Sequence, residues 1–80
     1  MKREKRELQE LLGRFCKQYR IEQLGLSLKQ LSEDSGVPYK TLYSFEIGLS
    51  SNLYMFYIYY NRSLDKQHFL ENLIKIIEGE

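Results

Sequence analysis

Residues 24–48 read LGLSLKQLSEDSGVPYKTLYSFEIG, and the way this stretch folds decides what the rest of the chain packs against. Ser27 and Gln30 have the Ser-x-x-Gln spacing of a capping box, in which each side chain bonds the other residue's backbone N–H. The spacing predicts a short helix over residues 28–34, with Leu28 and Leu31 facing inward. Gly36 breaks it, and Pro38 suits the first turn of a following helix, where its missing N–H leaves no bond unmade. Leu42 and Phe45 give that second helix an inward side, while Tyr39, Lys40, Tyr43 and Ser44 point elsewhere. Two short helices joined by a tight glycine turn make a helix-turn-helix, an arrangement in which the first helix braces the second in the DNA major groove. The same αα-hairpin also occurs in helical bundles that never meet DNA.

On the amino-terminal side, Leu8, Leu11, Leu12, Phe15 and Tyr19 recur at steps of three and four, one apolar stripe on a helix over residues 5–23 that Gly25 ends. Opposite charges at Arg3/Glu7, Arg6/Glu10 and Glu10/Arg14 lie a turn apart and support it. On the carboxy-terminal side, residues 47–51 read as a loop and Asn52 as a cap. Asp65 caps a last helix over 66–78, which Gly79 stops. Between them lies LYMFYIYY, residues 53–60, uncharged and mostly aromatic. Tyr, Phe and Ile favour strands, but no second strand is available to pair with it. As a helix it has one stripe, Leu53, Phe56, Tyr57, Tyr60 and Leu64, expected to close the core, and a second face too apolar for water. That second face predicts a homodimer built from the last two helices (residues 52–78), with Met55, Ile58, Tyr59, Ile74 and Ile77 near the seam.

Gly25-Leu26-Ser27, Leu31, Ser35-Gly36-Val37, Thr41-Leu42 and Phe45-Glu46 followed by Gly48 resemble the phage-repressor (Cro/Xre-like) helix-turn-helix family over about 25 of the 80 residues. The resemblance implies an all-α, compact five-helix bundle of the lambda-repressor-like DNA-binding class, one domain over 1–80 with its helix-turn-helix at about 27–46. It implies base contacts from Pro38, Tyr39, Lys40 and Ser44. Lys40 would donate to guanine O6/N7 and Pro38 would meet a thymine methyl. It also implies backbone contacts from Ser27 with its N–H, and from Tyr43, Ser50, Ser51 and Asn52. Arg14, Lys17, Arg20 and Lys29 are more general phosphate partners. The chain departs from the family at Leu28, where Gln is usual, and in the loop after Gly48, which lacks Lys and Arg; fewer cations make a shallower salt dependence.

Composition is compatible with this. Net charge is only +1, but residues 1–40 hold nine Lys/Arg against six Asp/Glu, and residues 41–80 hold three against five. The longest uncharged run, 47–61, is too short and too rich in Gly, Ser, Asn and Tyr to span a bilayer. Cys16 is the only cysteine, which excludes an intrachain disulfide and a cysteine cage for metal; it reads as a small core residue, with a thiol sensor as the alternative. His68, the only histidine, has no partner set for metal or catalysis and reads as a surface residue, and Glu33/Asp34 as a solvated helix end. No nucleophile–base pair, glycine-rich phosphate loop or zinc spacing is present. The expectation is a non-enzymatic, cytoplasmic transcription regulator, a repressor acting as a homodimer on double-stranded DNA, without cofactor, metal, small-molecule ligand or membrane contact. The alternative is a protein-binding module of the same fold, an anti-repressor, an antitoxin or a phage-encoded inhibitor of a host factor, and a third reading is a dual-role protein that represses its own operon and also binds a second target.

Overall fold

Local capping chemistry divides the chain into helices. The computed structural model describes residues 4–50 and 52–79. Over these run α1 (Lys5–Tyr19), continued by a π-helical turn (Arg20–Leu24), then α2 (Leu28–Ser35), α3 (Tyr39–Glu46), α4 (Leu53–Arg62) and α5 (Lys66–Glu78), with no strand among the described residues. Ser27 Oγ accepts from the Gln30 N–H at 3.0 Å and Gln30 Oε1 accepts from the Ser27 N–H at 2.8 Å, so the capping box is formed. Asn52 Oδ1 accepts from the Met55 N–H at 3.0 Å and Asp65 Oδ1 from the His68 N–H at 3.1 Å. Each such cap contributes about 1 kcal/mol. Gly36 takes φ 78°, the left-handed conformation that ends α2, and its N–H bonds the Ser32 carbonyl at 2.9 Å. Pro38 sits one residue earlier than expected: it is the cap of α3, extended at ψ 143°, with its carbonyl accepting from Thr41 and Leu42.

One core joins all five helices. Cys16, Leu31, Leu42, Phe45, Ile58, Tyr59 and Phe69 are fully buried, with Leu12, Tyr19, Leu28, Val37, Met55 and Leu73 around them. α1 packs on α3 and α5, and α2 packs on α3. Phe45 meets Phe56 edge-on at 5.0 Å between ring centroids and Tyr59 at 5.6 Å. Tyr19 meets Phe69 edge-on at 5.1 Å. These are the offset and T-shaped contacts that aromatic quadrupoles favour. No helix of the described residues is long and apolar enough to cross a membrane.

The face of α4 is the reverse of the one the spacing suggested. Met55, Ile58 and Tyr59 enter the core, whereas Leu53 is 84% exposed and Leu64 75%, Tyr57 is half exposed, and Phe56 and Tyr60 lie at the border. Met55, Ile58 and Tyr59 are therefore not available to a seam between copies. The reason is that both faces of this helix are apolar, so helical periodicity supports either one. Tyr59 decides between them, because its hydroxyl finds a buried carboxylate.

That carboxylate belongs to Glu46, only 4% exposed at the end of α3. Arg20 grips it with two parallel bonds, Nε to Oε2 at 2.9 Å and Nη2 to Oε1 at 3.0 Å, and the Tyr59 hydroxyl donates to Oε2. The remaining guanidinium nitrogen, Nη1, donates to the Leu26 carbonyl at 2.8 Å. The Arg20 carbonyl in turn accepts from the Leu26 N–H at 3.2 Å, and from the N–H of Gly25. Arg20 thus holds the turn before α2 to the end of α3. Its bond to Glu46 pushes the guanidinium pKa further up, while burial and then the same carboxylate push the Tyr59 phenol far up, so the phenol stays a donor.

α1 approaches α3 closely at Gly13. A methyl group there would lie 2.7 Å from the Glu46 carbonyl oxygen and nearer still to that of Phe45, both of them backbone atoms.

Three outcomes follow for stability. Gly13→Ala, which on an open helix face gains roughly 1 kcal/mol, will instead lose about 2 kcal/mol by overpacking. Glu46→Gln, which leaves Arg20 buried without its charge partner, will cost about 3 kcal/mol, and Tyr59→Phe, which removes one donor to a carboxylate, about 2 kcal/mol. Denaturant titration reads all three, and the order Glu46→Gln worse than Tyr59→Phe is the discriminating result.

Candidate nucleic-acid interface

α2 and α3 are joined by residues 36–38, and side chains lock the connection. Ser32 Oγ donates to the Val37 carbonyl at 2.7 Å, and the Val37 N–H donates to Ser35 Oγ at 3.2 Å. Leu28 and Leu31 of α2 and Leu42 and Phe45 of α3 face the core, so the outer sides of both helices are set by packing. With Leu42, Phe45 and Glu46 inward, helical geometry puts Lys40, Tyr43, Ser44 and Ile47 along the outer ridge of α3. Lys40 and Tyr43 are exposed and Ser44 is half-buried; Pro38 and Tyr39 are exposed at the amino-terminal end of the helix. The four residues expected at base edges thus share the solvent side of one helix start and ridge.

The expected backbone contacts divide. Lys29 and Ser27 are exposed at the start of α2, but the Ser27 N–H is taken by Gln30, so the donors directed out of the helix there are the N–H groups of Leu28 and Lys29. Arg14 and Lys17 are exposed. They share the flank of α1 that carries Glu10 and Gly13, against which residues 45–48 pack, so both cations stand beside the end of α3. Arg20 is a correction. It is 6% exposed, and every guanidinium nitrogen bonds within the protein, so it cannot serve a phosphate. Ser50 is exposed, Asn52 is exposed with its Oδ1 spent on the α4 cap, and Ser51 lies outside the described residues.

Two features went unread in the sequence. Ile47 and Leu49 are exposed apolar residues at the carboxy-terminal end of the ridge. The Arg20–Glu46–Tyr59 cluster was also missed, although it left a signal. Glu46 is one turn after Leu42, on the inward side of α3, and Arg20 is one turn after Cys16 on the inward side of α1. A carboxylate and a guanidinium on two apolar faces call for each other. Asp34 is not simply solvated either: Arg62 Nε, at the end of α4, pairs with its Oδ2 at 2.6 Å.

Burial, followed by the nearby Glu46 carboxylate, pushes the Cys16 thiol well up, so it stays protonated and shielded, contrary to a thiol sensor. His68 is exposed, with its ring beside Asn72. Among the described residues no group of His, Cys, Asp or Glu is arranged to hold a metal ion. A depression of about 310 Å³ between the end of α1 and the start of α5 is lined in part by Glu22, Asp65 and His68, and its two carboxylates disfavour an anion. No protein-family model, curated protein or solved structure matches this chain.

Proposed function

We propose that the chain is a sequence-specific DNA-binding transcription regulator, a small repressor that works in the cytoplasm as a homodimer on an operator of two half-sites. The observation that carries this reading is the pairing of α2 and α3. Two eight-residue helices are locked through residues 36–38, with Pro38, Tyr39, Lys40 and Ser44 on the solvent side of the second. In this reading they form a helix-turn-helix and α3 enters the major groove. Lys40 donates to guanine O6/N7, Pro38 packs on a thymine methyl, and the Tyr39 phenol and Ser44 hydroxyl serve a base or phosphate. The N–H groups at the start of α2, with Lys29, Arg14, Lys17 and the hydroxyls of Tyr43 and Ser50, hold the phosphate backbone. The Arg20–Glu46 clamp contributes by holding the angle between the helices, so that recognition begins from an ordered surface. Two copies place their helices about 34 Å apart, one helical turn of DNA.

A second reading keeps the fold and replaces DNA with a protein partner, as an anti-repressor, antitoxin or inhibitor would. It is favoured by the four large hydrophobic residues exposed on and beside the α3 ridge, Tyr39, Tyr43, Ile47 and Leu49.

Selection from random duplex DNA at low and moderate salt separates the two: recovery of a preferred site supports the regulator, and no binding at either salt overturns it. On the selected site, Lys40→Ala will weaken binding by about 1–3 kcal/mol and Ser44→Ala by less, with the melting temperature unchanged. Retention of full sequence preference in both variants contradicts the assigned face. With Arg20 withdrawn, the cations left are Lys29, Lys40, Arg14 and Lys17, so log K against log salt will fall with a slope no steeper than about −4 per copy.

A further inference from the structure

The outward side of α3 is poor in the side chains that read bases by paired hydrogen bonds. Residues 38–47 contain no Arg, Asn or Gln, and their one acid, Glu46, is buried against Arg20. Asn and Gln pair with adenine, and Asp and Glu accept from cytosine, so neither base has a dedicated partner on this helix. Hydroxyls, here those of Tyr39, Thr41, Tyr43 and Ser44, serve donors and acceptors alike and discriminate weakly.

What the ridge offers instead is one cation and apolar surface. Lys40 is the one exposed charge on α3. Pro38 is exposed at the amino-terminal end, Tyr43 is 51% exposed and Ile47 40%. Ile47 stands two turns beyond Lys40 on nearly the same line of the helix. From Pro38 to Ile47 the ridge runs roughly 13 Å, the rise of about four base pairs. Its surroundings suit a polyanion. Lys29, Arg14 and Lys17 are exposed around it, residues 47–50 carry no charge, and Glu10, on the α1 flank, pairs with Arg6 at 3.3 Å.

We infer that each half-site is rich in A·T pairs and is read through the C5-methyl groups of thymine, by Pro38, Tyr43 and Ile47, around one guanine taken by Lys40. The inference rests on the DNA-binding reading above and names the class of sequence that this ridge selects. Of the four bases, thymine alone presents an apolar group in the major groove. An apolar side chain pressed on any other base edge strips water from donors or acceptors and returns no bond, a cost that a methyl group does not incur. Ile47, at the far end of the ridge from Pro38, is thereby a specificity-determining residue. Tyr43 and Ile47, which also favour the protein-partner reading, have a use on DNA in this assignment.

Deoxyuridine, which differs from thymidine at this edge only in lacking the methyl group, tests the inference on the site recovered from random duplex DNA. The recovered half-sites will hold A·T pairs at most positions under the ridge. Replacing the contacted thymines by uracil one at a time will weaken binding by about fourfold each, the effect of one buried methyl group. Ile47→Ala, which shortens the side chain out of reach, will weaken binding to the thymine site by a similar factor. It will also erase the uracil penalty at one position only, with the melting temperature unchanged, whereas a residue that merely supports the fold would lower binding to both sites alike. A site dominated by G·C pairs, binding indifferent to uracil at every position, or an Ile47→Ala variant with every uracil penalty intact overturns the inference and leaves the regulator standing. Failure to recover any site sinks the regulator and the inference together.

Discussion

A carboxylate taken out of water needs a charge and a full set of hydrogen bonds, and Glu46 obtains both from residues remote in the chain. Arg20 lies 26 residues earlier and Tyr59 13 later, so the bonds to Glu46 can form only when the end of α1, the end of α3 and the middle of α4 have come together. Burying an ion pair adds little net stability compared with apolar packing, but leaving one half of it unpaired is costly. That asymmetry makes alternative packings of these helices expensive. The fourth member, the Leu26 carbonyl, extends the same constraint to the turn that launches α2. The relative setting of α2 and α3, on which the proposed DNA contact rests, is therefore referred to one buried cluster.

The same cluster governs the surface on the far side of the molecule. By drawing Tyr59 inward it turns Met55 and Ile58 into the core and sends Leu53, Tyr54 and Tyr57 outward. A chain this small has more large apolar side chains than its interior can hold, since the ratio of surface to volume is unfavourable. Much of the excess collects on α4 and α5, and most of the rest lies on and beside the α3 ridge. The setting of the candidate interface and the exposed apolar side of α4 are thus two consequences of one packing decision.

Much of the all-helical architecture was legible from residues 24–48 and their flanks. Ser27, Asn52 and Asp65 act as caps within three residues of themselves, and Gly36 and Gly79 end helices by their own backbone conformation, so these boundaries follow from chemistry that never leaves the neighbourhood. The exposed positions of Lys40, Tyr43 and Lys29 were legible too, because Leu42, Phe45, Leu28 and Leu31 fix which side of each helix is inward. Arg20 was misread as a phosphate partner because a lone arginine on a basic half of the chain looks the same in sequence whether it meets solvent or a buried acid.

What the sequence determined by itself is the list of helices and, to within a residue or so, most of their ends; the π-helical turn over Arg20–Leu24 was not legible. Capping, glycine stops and apolar periodicity all act over one or two turns. What only the tertiary structure decided is which of two equally apolar faces of α4 turns inward, and that Arg20 points at Glu46 instead of at water. Both outcomes depend on groups brought together from three separate helices. A helical repeat is blind to rotation about its own axis when the residues all round it are apolar, and the partner of a buried charge is chosen in space.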